Sequence, residues 1–128
     1  MNETLYSDFT RGDLVALRHE VERFAAGHGL ADLALYRFVV AVNELTTNAV
    51  LHGGGSGRLE LRRTGTVLRC RVTDQGPGMT GGGRRGNAGP AARAVSGRGL
   101  WLARQIAVSL DIDSNPLGTS VTLTTQVA

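Results

Sequence analysis

The chain is predicted to fold as an α+β domain, a two-layer α/β sandwich with helices on one face of a mixed, mostly antiparallel sheet. Two patterns predict it: helical spacing of apolar residues through roughly the first 50 positions, and two-residue alternation in the segments that follow. Their order is helix pair, strand pair, long glycine-rich connection, helix, strand pair. That succession suggests a mixed sheet with its helices on one face, an α+β sandwich.

Leu5-Tyr6-Ser7-Asp8-Phe9 is read as a short N-terminal strand. Leu14, Leu17, Val21 and Phe24 then recur at helical spacing, with Asp13 placed as N-cap and Gly27 and Gly29 as the stop. A longer helix is expected from Ala31 to about Leu51, carrying Leu35, Val39, Val42, Leu45 and Ala49 inward and ending at Gly53-Gly54-Gly55. Arg58–Arg62 and Leu68–Val72 alternate as strands about a turn at Thr64-Gly65-Thr66. Gly76 to Gly97 is a run of Gly, Arg, Ala and Pro with no core face, longer than an ordinary connection and in keeping with either a functional lid or a disordered insert. A third helix is expected over Gly99–Val108, a strand near Leu110–Asp113, a turn at Asn115-Pro116-Leu117-Gly118, and a last strand alternating Val121, Leu123 and Thr125. One domain over residues 1–128 accounts for all of it.

Composition narrows the function. There is no lysine, and 14 arginines carry the net charge of +3. A Walker A loop, which needs a lysine at the phosphates, is excluded, as is the lysine of eukaryotic-type protein kinases. The arginines are spread along the chain beside only three Phe, two Tyr and one Trp, a poor match to a nucleic-acid binder with stacking aromatics. A single cysteine, Cys70, excludes an internal disulfide. No signal-like or membrane-length apolar run occurs, so a cytoplasmic location without membrane contact is expected.

Four clusters carry possible chemistry. Glu44 and Asn48 stand four residues apart, about 40° from each other around a helix axis, and His52 continues the stripe. A carboxylate there can accept a proton and an amide oxygen can hold Mg²⁺, although taken alone the trio reads more readily as the solvated side of an amphipathic helix. Asp74 ends an apolar strand and is followed by Gly76, Gly78 and Met79, where the backbone can turn close to a ligand. Gly97-Arg98-Gly99-Leu100 opens a helix, so its amides and dipole favour phosphate. Thr119, in Gly118-Thr119-Ser120, enters the last strand with a hydrogen-bonding group.

In this order, Glu44-Leu45-Thr46-Thr47-Asn48-Ala49-Val50-Leu51-His52-Gly53, Asp74-Gln75-Gly76-Pro77-Gly78-Met79, Gly97-Arg98-Gly99-Leu100 and Gly118-Thr119-Ser120 resemble the N, G1, G2 and G3 boxes of the GHKL ATPases. The resemblance spans Leu14 to Leu123. Within that superfamily, the short length and lack of appended segments are similar to the anti-sigma-factor serine/threonine kinases.

The resemblance implies the Bergerat ATP-binding fold, with a lid at about residues 79–98, and ATP and Mg²⁺ as cofactors. Glu44 would be the catalytic base and Asn48 the Mg²⁺ ligand. Asp74 and Thr119 would take the adenine amino group, and Gly76, Gly78 and Met79 would shape its pocket. Gly97, Arg98, Gly99 and Leu100 would close over the phosphates. A sigma factor and a STAS-domain anti-anti-sigma protein are the implied partners, with homodimerisation and no nucleic acid. The alternative function is a nucleotide-sensing binding module that regulates a partner without phosphoryl transfer.

Overall fold

The computed structural model describes residues 3–74, 109–115 and 118–127. The predicted third helix, the lid, and the box residues Gly76, Gly78, Met79, Gly97, Arg98, Gly99 and Leu100 lie outside the described residues, as do Pro116 and Leu117 of the predicted turn.

The elements are β1 (Glu3–Thr10), a 3-10 turn (Arg11–Asp13), α1 (Leu14–Gly27), α2 (Asp32–His52), β2 (Ser56–Thr64), β3 (Val67–Asp74), β4 (Ser109–Asn115) and β5 (Gly118–Gln126). The five strands form one sheet in the order β1-β2-β3-β5-β4. Every pairing among the described strands is antiparallel, so the parallel component allowed by the sequence does not occur among them.

Alternation sorts each strand into a wet and a dry side. Leu59 and Leu61 on β2, Leu68, Cys70 and Val72 on β3, and Val121 and Leu123 on β5 are buried. The register sets these positions side by side: Leu59 faces Val72 and Val72 faces Val121, while Leu61 faces Cys70 and Cys70 faces Leu123. Against this carpet lie α1, through Leu17, Val21 and Ala25, and α2, through Phe38, Ala41, Val42, Leu45 and Ala49. α2 packs on α1 as well as on β2 and β3, which is why its buried stripe is wider than a single helical face.

Two local details differ from the sequence expectation. Asp13 sits at the N-cap position of α1 but does not cap it through its side chain. Its carboxylate turns back and accepts hydrogen bonds from the amide of Thr10 (2.9 Å) and from Thr10 Oγ1 (3.0 Å), closing the 3-10 turn instead. The α1–α2 connection is likewise fastened by more than its glycines. Gly29 takes φ +117°, and the Arg63 guanidinium donates to the carbonyl of His28 at 2.6 Å, while the His28 ring stacks on Phe24.

Two outcomes test this packing. Phe38 is fully buried between the layers, so Phe38→Ala is expected to cost about 3–5 kcal/mol in urea unfolding, the usual penalty for emptying an aromatic site. Burial pushes the Cys70 thiol up to about 12, which keeps it protonated at neutral pH. A disulfide reagent at pH 8 should therefore leave the folded protein unmodified and label it at once in denaturant.

Candidate functional site

α2 supplies the first part of the site. Leu45, Thr46, Ala49 and Val50 of its C-terminal half are buried, and Glu44 and Asn48 lie half-buried at the edge of that stripe. The predicted pair thus shares one side of the helix at the boundary between core and solvent. His52, which the spacing added to the stripe, is exposed. Thr46 Oγ1 donates to the carbonyl of Asn43 at 3.0 Å, so a buried hydroxyl is satisfied without leaving the helix.

β3 supplies the second part. Asp74 is its last residue and, continuing the inward series Cys70, Val72, Asp74, faces the helix layer with only 4% of its surface exposed. A carboxylate at that depth must be hydrogen-bonded. Its Oδ1 accepts the amide N–H of Thr119 at 3.2 Å, from the start of β5, and Thr119 is itself 3% exposed. The resemblance set Thr119 near Asp74 at the adenine amino group, and the Thr119 main-chain amide does reach the carboxylate.

Gly53 has a part that sequence reasoning missed: it reads as a helix stop and as the last residue of the first box, with no role toward Asp74. A Cβ at this position would run into the Asp74 carboxylate and into the carbonyl of Ala49 at 2.6 Å. Its φ is −113°, so the demand is for space and not for a left-handed backbone. The end of α2 therefore reaches the end of β3 only because residue 53 has no side chain. A tertiary contact of this kind leaves no local signal beyond the glycine itself.

These contacts set up a line. A rise of 1.5 Å per residue puts Asn48 roughly 7 Å and Glu44 roughly 13 Å up the helix axis from Gly53. Asp74 and the Thr119 amide thus mark one end, with an amide side chain and then a carboxylate spaced away from it. The hollows of about 380 Å³ beside Asp13 and Arg58, and of about 350 Å³ between α1 and α2, include none of these residues. Among the described residues no cluster of three His, Cys, Asp or Glu could hold a metal ion, and no helix is long and apolar enough to cross a membrane.

Comparison with known proteins places this geometry. Residues 9–125 match the model of the histidine kinase-like ATPase domain. No curated protein matches. Among solved structures, the chain is similar to the blue-light activated histidine kinase of Erythrobacter litoralis EL346, at 20% identity and a TM-score of 0.54, over 91% of this chain and 40% of that one. The isolated kinase domain of that protein gives 20% identity and a TM-score of 0.51, covering 91% and 64%. The Acinetobacter baumannii histidine kinase AdeS gives 12% identity and a TM-score of 0.57, covering 96% and 68%. The chain thus spans about two fifths of that light-activated kinase chain, and likenesses this distant establish the fold alone. With the family match running from β1 into β5 across Glu44, Asn48, Asp74 and Thr119, the chain belongs to the histidine kinase-like ATPase domains and is an ATP-binding domain of that family.

Proposed function

We propose that this domain is an ATP-dependent protein serine/threonine kinase that also acts as an anti-sigma factor, releasing its sigma factor when a STAS-domain antagonist is the partner and phosphorylating that antagonist. The observation that carries the reading is the buried Asp74 carboxylate held at the tip of the α2 stripe that bears Asn48 and Glu44. The motif order of the GHKL boxes supports it, as does the match to the ATPase family. The anti-sigma role rests on the resemblance to that kinase branch.

In this reading Asp74 would accept a hydrogen bond from the adenine amino group, with the Thr119 amide keeping the carboxylate oriented. Asn48 would offer its amide oxygen to Mg²⁺, a hard cation that takes oxygen ligands. Bound Mg²⁺–ATP supplies the phosphoryl group. Glu44 accepts the proton of the acceptor hydroxyl as that oxygen bonds to the γ-phosphorus and the bond from phosphorus to the β–γ bridging oxygen breaks, leaving ADP. Gly97, Arg98, Gly99 and Leu100 would contact the phosphates through main-chain amides and a guanidinium, and Gly76, Gly78 and Met79 would line the adenine side. With lysine absent from the chain, arginine is the cation left for that task.

Calorimetry should detect Mg²⁺-dependent ATP binding that survives Glu44→Ala and is lost in Asp74→Ala. Glu44→Ala should reduce transfer of label from γ-labelled ATP to a STAS protein by about 100-fold or more, the usual worth of a general base. Equal transfer by wild type and Glu44→Ala, or partner affinity that tracks nucleotide with no transfer at all, would instead mark a nucleotide-sensing module.

Gly53→Ala tests the seat of Asp74 separately. Forcing a methyl against the carboxylate should lower stability by about 1–3 kcal/mol, as overpacking does, and weaken ATP binding with it. Thermal melts with and without nucleotide read both effects.

A further inference from the structure

The sheet has a second face. Since Leu59 and Leu61 turn toward the helices, Arg58, Glu60 and Arg62 of β2 turn away, joined by Arg69 and Arg71 of β3. The register sets Arg62 directly across from Arg69, and Glu60 across from Arg71. Like charges directly opposite destabilise a strand pair. The local remedy goes to one partner only: Glu60 Oε2 accepts from Arg62 Nη2 at 2.9 Å, along its own strand. Arg71 Nε donates to Ser120 Oγ at 2.9 Å, a neutral partner. Arg69 has neither an ion pair nor a hydrogen bond among the described residues. Together Glu60, Arg62, Arg69, Arg71 and Thr122 line a hollow of about 90 Å³, with three guanidiniums against one carboxylate.

We propose that this hollow is a docking point for an acidic segment of a partner protein, whose side-chain carboxylates seat between Arg69 and Arg71. The size suits one or two carboxylates, and guanidinium forks pair with carboxylates through two parallel hydrogen bonds. The surroundings favour a polypeptide. Asp8, paired with Arg58 at 2.8 Å, stands on the β1 side, and the exposed Asp111 and Asp113 stand on the β4 side. A nucleic-acid strand carries a charge at every phosphate and would run over these carboxylates on either side. A peptide can set acidic residues over the centre and neutral or basic ones over the flanks. A second copy of this chain, packed about a two-fold axis through the hollow, would oppose arginine to arginine. Asp74 lies on the opposite side of the sheet, so the inference is independent of the nucleotide reading.

The test is fluorescence anisotropy of a fluorescein-labelled peptide of glutamates interspersed with serines, titrated with the full chain at low and at physiological salt. ATP calorimetry is run on the same variants, and circular dichroism checks their folding. Wild type should bind the peptide, more weakly as salt rises. Arg69→Glu and Arg71→Glu should each weaken it by about tenfold or more, and Arg69→Gln by less, as expected for losing a charge partner. Arg18→Glu, on exposed α1 surface, should leave peptide binding unchanged, and none of the four should alter ATP binding. No binding at low salt, an equal loss in Arg18→Glu, tighter binding of single-stranded DNA than of the peptide, or a dimer that Arg69→Glu dissolves would each overturn the proposal. Loss of peptide binding with ATP binding intact reads this face alone. Failure to bind ATP with peptide binding intact condemns only the nucleotide reading.

Discussion

Much of the fold turns on the burial of one carboxylate. Asp74 ends β3 inside the protein, and a charged group there is tolerable only if hydrogen bonds replace the water it has lost. The Thr119 amide supplies one, which joins the ends of β3 and β5. The bare Cα of Gly53 gives the carboxylate its room and brings the end of α2 against it. Three elements therefore converge on one side chain. Asn48 and Glu44 stand on the helix whose end meets Asp74 through Gly53, so that contact also sets how far they lie from the carboxylate.

Strand alternation then divides the sheet's work. On β3 the inward series Leu68, Cys70, Val72, Asp74 passes from core to site without a change of element. In the outward series Arg69 and Arg71 are exposed and Thr73 is half-buried. A group bound at Asp74 and a group bound at Arg69 thus touch one strand from opposite sides. Cys70 stands between the two arginines in sequence and faces the other way, fully buried, with its thiol held protonated. That is the chemistry of a core residue, and it leaves redox reactivity out of both surfaces.

Much of this was legible from residue order because it is local. Helical spacing from Leu14 and from Leu35, and alternation on either side of Gly65, depend on neighbours within a few positions, and the elements appear within a few residues of the expected ends. Glu44 and Asn48 on one stripe, and Asp74 at a strand end, follow from the same periods. What escaped was non-local or had two local solutions. Asp13 could serve α1 or turn back to Thr10, and the β1 chain end brought Thr10 close enough to win. Gly53 reads as a stop in any sequence, and only the approach of Asp74 gives it a second task. The arginines look scattered along the chain, but hairpin register gathers Arg62, Arg69 and Arg71 around one hollow.

The arginines of the outer sheet face also show how a chain without lysine can crowd positive charge on one surface. An ammonium is a compact, strongly hydrated charge on a mobile stem; a guanidinium is planar, more weakly hydrated and always charged. On a sheet surface the planar group can lie along neighbouring strands and find neutral partners, as Arg71 does with Ser120, so several can crowd together at moderate cost. The cross-strand repulsion between Arg62 and Arg69 is a residual strain that an arriving carboxylate relieves. On the helix side of the same sheet the order is reversed, with a buried anion kept for a donor. A single antiparallel sheet thus offers acceptor chemistry on one face and donor chemistry on the other, and the alternation of β3 keeps the two from neutralising each other.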